Sequence, residues 1–344
     1  MPETIPAQDI LEKHDTIGEA TLSVVMPMYN EESVISKNIQ NLVEGFESLH
    51  LSWEIILVND GSTDGSLRIV REEGERLPQL RIVSYKVNRG RGYALRQGFK
   101  AARGKFIITT ESDLTWGVET LLRIFHKLGE SDKDIVIASP YCVGGKLENV
   151  PFKRALLSRL GNRILGLTFA GKVTMVSGMT RGYRREVMEA LDLESNGKEI
   201  HLEILSKASA LGFQIGEIPA VLRWEKGKSG KWKGSQRRTG KLIASHLLFS
   251  FGEFPFLLFG TVGFFFLSIG IFMGLYAYFL SLSGIHMGGK PFILVSTLLV
   301  LFGFQIIVFC FLANQNRDLR NALIRMNRRL IDLTSEKSNE GNME

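Results

Sequence analysis

The chain has 344 residues, 44% of them hydrophobic, and a formal net charge of +6, which is room for about two domains and a full α/β core. Its two cysteines, Cys142 and Cys310, have no metal-ligand spacing, so a disulfide framework is not expected and a reducing compartment is the default for the catalytic part. The positive charge calls for an anionic partner. Nucleic acid is not the expected one, because no recognition motif or aromatic platform accompanies the basic residues, which cluster beside apolar segments.

Residues 1–20 read as a flexible leader. Glu3, Asp9, Glu12 and Asp15 and the lack of an apolar stretch argue against a signal peptide. From Thr21 the pattern is strand, loop, helix, repeated. Strands are predicted at Leu22–Met26, Glu54–Asn59, Arg81–Tyr85, Lys105–Thr110 and Asp134–Ala138. Helices are predicted over Glu32–His50, Leu67–Arg76, Gly92–Ala102 and Thr115–Leu128. Such alternation implies an α/β domain with a doubly wound, mostly parallel sheet, expected over residues 21–235. Ligands bind beyond the carboxyl ends of such strands.

An amphipathic helix is expected at about 151–168. Its apolar Leu156, Leu160, Ile164 and Leu167 are interleaved with Lys153, Arg154, Arg159 and Arg163. It is either interfacial or an ordinary helix packed on the sheet. A juxtamembrane helix is expected at 236–253, then two transmembrane helices within 254–313. Phe254–Leu282 and Pro291–Leu312 carry no charge, and each is long enough to cross a hydrocarbon core of about 30 Å. Eight basic residues between Arg223 and Lys241, and five arginines after the second span, flank a connecting loop whose one basic residue is Lys290. The positive-inside rule then places the catalytic domain and both termini in the cytoplasm. Residues 314–344 form a basic tail. Its Leu319, Leu323, Met326, Leu330 and Leu333 make a short heptad seam, suited to pairing subunits or lying on the membrane. Order is expected to end near Ser335.

Three segments at strand ends carry chemistry. In Pro27–Glu32, Tyr29 and Glu31 can meet a nucleotide base and ribose. In Asn59–Gly65, Asp60 can accept hydrogen bonds from such a ligand, while Asp64 can cap the next helix. In Glu111-Ser112-Asp113, two carboxylates two residues apart can share Mg²⁺ or Mn²⁺, hard cations that bridge carboxylates to phosphates. Taken singly, each is also satisfied by a plain turn and a helix cap.

Taken in order, P-x-Y-N-E, (N/D)DGSxD, the glycine-rich Asn88–Ala94 with Gly98, Ala102 and Gly104, and the paired acids resemble the GT-A glycosyltransferases of family 2. With the C-terminal hairpin, the chain is similar to the polyprenyl-phosphate glycosyltransferases. The resemblance implies donor binding by Pro27, Tyr29, Glu31, Asp60, Asp64, Arg89, Gly90, Glu111 and Asp113. It implies Glu111 and Asp113 as metal ligands. Acceptor binding falls to Arg154, Ser158, Arg181, Lys228 and Lys231, with Asp113, Arg154 and Ser158 as the catalytic set. The chain departs from the family at Glu111, Thr115 and Pro140, where aspartate, glutamine and arginine are usual.

The function implied is inverting transfer of one sugar, from a UDP- or GDP-sugar to a polyprenyl phosphate, at the cytoplasmic membrane face. The acceptor oxygen is already anionic, so no strong base is needed, and the metal and arginines hold two anions together. Membrane lipids are further partners, and the tail seam is compatible with a homo-oligomer. The alternatives are a different lipid acceptor, such as diacylglycerol or ceramide, and an inactive nucleotide-sugar-binding scaffold. A processive polymerase fits less well, because Ala220 stands where its Q-x-x-R-W motif needs glutamine.

Overall fold

The computed structural model describes residues 20–49, 51–167, 173–223, 259–285 and 291–340, and the chain divides into two compact units between Lys233 and Gly234. The first is the expected α/β unit. Its sheet strands are β1 (Leu22–Met28), β2 (Trp53–Asp60), β3 (Leu80–Tyr85), β4 (Phe106–Thr109), β5 (Ile135–Ser139), β7 (Arg181–Arg184) and β8 (Ile215–Pro219). They lie in the order β3-β2-β1-β4-β7-β5-β8. All neighbours are parallel except β7, which runs antiparallel to β4 and β5. The two short strands β6 (Lys146–Glu148) and β9 (Val221–Arg223) form a separate parallel pair.

The local reasons are plain. β1 and β2 are buried almost throughout, as continuous apolar runs are when helices cover both sheet faces. The helices α1 (Ile35–Glu47), α2 (Ser66–Arg76), α3 (Arg91–Ala101) and α4 (Val118–Glu130) alternate with the strands. Ile35, Ile39, Leu42 and Phe46 form the buried stripe of α1 at helical spacing. Chain order runs outward from β1 through β2 to β3, then returns to β4 on the other side of β1. That reversal between β1 and β4 is a topological switch point, where the loops diverge and leave a crevice.

Several element ends shift by a few residues from those predicted. α4 starts at Val118 rather than Thr115, because Glu111–Gly117 is spent on a turn with Leu114 at φ 46° and Gly117 at φ 72°. The helix α5 (Phe152–Leu167) forms as expected. Yet Phe152, Leu156 and Leu160 lie exposed, while Asn162 is buried. A helix packed on the sheet through Leu156 and Leu160 would show the opposite. The short helices α6 (Arg185–Ala190) and α7 (Ile200–Ala210) complete this unit.

The second unit is a hairpin of α8 (Thr261–Leu282) and α9 (Pro291–Glu340). Both are long and apolar enough to cross a membrane, over Thr261–Leu282 and Pro291–Asn316, and only 11% of each apolar window is buried. The buried positions are small and recur every seventh residue: Gly263, Gly270 and Ala277 on α8, and Ser296, Gly303 and Cys310 on α9. A seven-residue repeat keeps one seam of each helix against the other. A Cβ on Gly303 would stand 2.5 Å from Leu267 N and 2.7 Å from Gly263 O, so the two backbones touch where no side chain fits between them. The order expected to end near Ser335 extends to Glu340, in one helix with the second span. Between Gly303 and Gly341 the sequence holds neither glycine nor proline, so nothing breaks it. The predicted 236–253 helix lies outside the described residues.

Candidate active site

The loops after β1, β2 and β4 meet at the switch point, since β1 pairs with both β2 and β4. The first two are laced together. Asn30, at φ 57°, accepts Thr63 N at 2.8 Å and donates its own N–H to Ser62 Oγ at 3.1 Å. Glu31 N donates to Ser66 Oγ at 2.8 Å, and Gly65 N donates to Glu32 Oε2 at 2.6 Å. Asp64 accepts from Ser66 N at 3.0 Å and from Glu32 N at 3.4 Å. Burial works against its charge, but these bonds and that from the Ser66 hydroxyl hold the carboxyl below its ordinary range. Asp64 thus stands one residue before the Gly65 cap position, bonds the first N–H of the helix and also clamps the first loop. Pro27 precedes this clamp half-buried, and Tyr29 presents an exposed ring from it.

Asp60 ends β2 almost fully buried, with Oδ1 accepting Arg89 N at 2.8 Å and Oδ2 accepting Gly90 N at 3.1 Å. The carboxylate therefore shapes the glycine-rich turn. Beside it, burial and the Asp60 charge push the Tyr85 hydroxyl pKa well above its ordinary range. Gly90 has φ 99°, and a Cβ there would lie 2.5 Å from Asn196 O, so glycine is required on both counts. The Arg89 guanidinium lies over the Tyr93 ring at 4.9 Å and bonds its hydroxyl at 3.0 Å.

The paired acids occupy the turn after β4. Glu111 Oε2 accepts the Thr180 hydroxyl at 2.8 Å. Burial raises the Glu111 pKa, Arg91 and Thr180 oppose the rise, and the Asp113 charge adds to it. Asp113 Oδ1 accepts Thr115 N at 3.1 Å and also the Thr115 hydroxyl. Leu114, between the acid and the threonine, holds the left-handed conformation that a bulky residue rarely adopts. Asn38 fixes the same turn by donating to Ser112 O at 2.8 Å. A cavity of about 500 Å³ opens beside Asp113, bordered by Trp116, Arg123, Val221 and Arg223. Among the described residues no three His, Cys, Asp or Glu side chains converge as a metal cage. Two neighbouring carboxylates fit a cation that takes its remaining ligands from a diphosphate and water, the usual arrangement for Mg²⁺ at phosphates.

Of the residues expected at the acceptor, Ser158 accepts the Tyr141 hydroxyl on Oγ at 2.7 Å. The side chain of Arg154, and Lys228 and Lys231 altogether, lie outside the described residues. Arg181 requires a correction. Expected at the acceptor, it is 0% exposed. Its guanidinium donates to Gly178 O at 2.7 Å, to His201 O at 3.0 Å and to Val176 O. It is a buried brace, its guanidinium occupied by three backbone carbonyls. Glu203 is a brace as well, accepting Glu194 N and Ser195 N at 2.9 Å each and pairing with Lys207 at 2.8 Å. Glu217 does the same for Thr174 and Met175.

Arg91, Thr180, Tyr141 and Asn162 were not singled out from sequence. Arg91 lies within the glycine-rich Asn88–Ala94 motif. Thr180 reaches Glu111 only because β7 inserts antiparallel beside β4, a placement no local pattern encodes.

Residues 23–192 match the family model described as glycosyl transferase family 2. The chain is 29% identical over 232 residues to a dolichol-phosphate mannosyltransferase of Pyrococcus furiosus, covering 66% of this chain and 61% of the relative. It is 30% identical over 195 residues to an undecaprenyl-phosphate 4-deoxy-4-formamido-L-arabinose transferase of Edwardsiella ictaluri, covering 55% and 56%. The chain thus spans less than two thirds of either relative. Among solved structures, it resembles glucosyl-3-phosphoglycerate synthase of Mycobacterium tuberculosis with a TM-score of 0.50 and 19% identity, over 67% of this chain and 80% of that one. That likeness is one of fold.

Proposed function

We propose, on the premise that the chain carries a glycosyltransferase family 2 domain over residues 23–192, that it moves a single sugar from a nucleotide-diphosphate sugar to a polyprenyl phosphate at a membrane surface. The observation that carries the reading is the convergence of the Tyr29 loop, the Asp60 turn and the Glu111–Asp113 pair at the β1–β4 switch point. The named acceptors of the Pyrococcus and Edwardsiella relatives are lipid phosphates, and the apolar hairpin fits a lipid substrate.

The donor base lies against Tyr29 and its ribose against Glu31. Asp60 and Asp64 act from behind, holding Arg89, Gly90 and Glu32 in place. Glu111 and Asp113 would hold Mg²⁺ or Mn²⁺, which offsets charge on the departing diphosphate; the mycobacterial structure was solved with Mn²⁺ and UDP. Arg91 adds fixed positive charge near Glu111. A phosphate oxygen of the acceptor, steadied by Ser158 and Arg154, forms the new bond to the anomeric carbon. The bond from that carbon to the diphosphate breaks on the opposite face, so the configuration inverts. No proton has to be removed from the nucleophile. The basic flanks support a cytoplasmic catalytic unit with both termini on the same side.

The test uses the full chain in detergent with a short polyprenyl phosphate, Mg²⁺ or Mn²⁺, and a panel of UDP- and GDP-sugars. The expected readout is a lipid mass increased by one sugar residue, lost in Asp113→Ala and with EDTA. Nucleotide binding without transfer to the lipid phosphate from any donor would overturn the reading in favour of another acceptor or an inactive scaffold.

A further inference from the structure

Ser158 lies on α5, half-buried, and its surroundings constrain its proton. A serine hydroxyl has one proton to donate and two lone pairs with which to accept. Two donors face those lone pairs: the Tyr141 hydroxyl at 2.7 Å and Asn162 Nδ2 at 3.4 Å. Tyr141 is the natural donor of its pair, since a phenol is the stronger acid. The Arg159 guanidinium, 5.8 Å from the ring centroid, holds the Tyr141 ring in place. Asn162 is 3% exposed, and Nδ2 also donates to Ser158 O at 2.9 Å. Its Oδ1 accepts Val176 N at 2.8 Å, Ser177 N at 3.1 Å and the Ser177 hydroxyl at 3.2 Å. A buried amide with this many partners has one orientation.

With its lone pairs engaged, Ser158 has only its proton to offer. That proton turns either back to the carbonyl one helical turn earlier or outward to a ligand, and an anionic oxygen is the stronger acceptor. We infer that Tyr141 and Asn162 are positioning residues that commit Ser158 to donating a hydrogen bond to an anionic phosphate oxygen of the acceptor. The inference rests on the transfer reading above and sharpens its substrate class. A lipid alcohol must surrender a proton as it reacts, and a hydroxyl that only donates cannot take it. A phosphate oxygen has no proton to surrender. Asn162 also ties α5 to the 176–177 segment, three residues before Thr180, which holds Glu111. The acceptor serine and the donor acid therefore share one short rigid connection.

The experiment is steady-state kinetics on the full chain in detergent, with polyprenyl phosphate and donor varied separately. Tyr141→Phe and Asn162→Asp each remove a donor to Ser158, the second while keeping an acceptor for residues 176–177. Each is expected to raise the acceptor KM about 3- to 10-fold, the worth of one hydrogen bond to a poised group, with the donor KM within about twofold. Adding Tyr141→Phe to Ser158→Ala is expected to change nothing further, because the partner is already gone. An acceptor KM unmoved by Tyr141→Phe in an active enzyme overturns the inference alone. So do losses that add fully in the double variant and follow a lowered melting temperature. A wild-type protein that glycosylates a lipid alcohol but not a lipid phosphate overturns the inference and the transfer reading together.

Discussion

The two units of this molecule bury opposite things. In the α/β unit the hidden side chains are large: Phe46, Met26, Leu57 and Tyr183 are sealed from solvent. In the hairpin the hidden positions are Gly263, Gly270, Ala277 and Gly303, while Phe264, Phe272 and Phe279 face outward. Water drives the first arrangement by expelling apolar surface. Against lipid that drive vanishes, and helices associate by close backbone packing through small residues. Polar groups follow the same division. The α/β unit gathers carboxylates at its strand ends, whereas Ser296 and Thr297 in the hairpin return their hydroxyls to Ile293 O, each at 3.0 Å.

The sharpest way to break this comparison is to truncate one phenylalanine in each unit. Phe46→Ala empties a closed core site, and a loss of about 3–5 kcal/mol is expected in thermal or chemical unfolding. Phe272→Ala, at a position 72% exposed, should change the unfolding of the detergent-solubilised protein by under about 0.5 kcal/mol. Equal losses would show that α8 packs against protein rather than lipid. Next in size is chemistry more than stability: Asp113→Ala should lower kcat by about 10²- to 10³-fold, while the lost bonds to Thr115 cost only about 1 kcal/mol in unfolding. That confines the functional polarity of the α/β unit to its strand ends.

Gly303→Val inverts the test for the hairpin. The added side chain meets the Leu267 backbone, and overpacking of this kind costs about 1–3 kcal/mol, read as a lower melting temperature in detergent. The smallest effect concerns pH. Burial opposes the Glu203 charge, but Lys207 and the bonds from residues 194 and 195 hold its pKa below the ordinary 4.5. A depressed carboxylate contributes stability that is complete above its ordinary pKa and lost as pH falls through the folded value. Glu203→Gln should therefore melt lower than wild type at pH 7, by about 1 kcal/mol, and the gap should close as pH falls from 4.5 through the lower folded value.

Much of this was legible from residue order. The strands announced themselves as continuous apolar runs, and the spans as long uncharged ones. The loops at strand ends carried the acids because the carboxyl end of a parallel sheet is where loops diverge. What escaped was every contact made across the fold. Glu54 reads as the polar edge of a strand, yet it is fully buried, accepting Arg81 at 2.9 Å and Ser23 at 2.6 Å. The family resemblance implies Arg181 as an acceptor residue, and the fold uses it as an internal brace.

The sequence by itself determined the α/β order, the apolar hairpin and the three polar loops at strand ends, because periodicity, charge and turn residues act on near neighbours along the chain. Only the tertiary structure decided which polar groups face a ligand and which are spent within the protein. Asp60 and Asp64 brace loops, Thr180 reaches Glu111 through an antiparallel insertion, and Tyr141 and Asn162 meet at Ser158. A hydrogen bond forms wherever packing brings donor and acceptor within about 3 Å, and residues 69 apart in the chain, as Glu111 and Thr180 are, leave no local trace of that meeting.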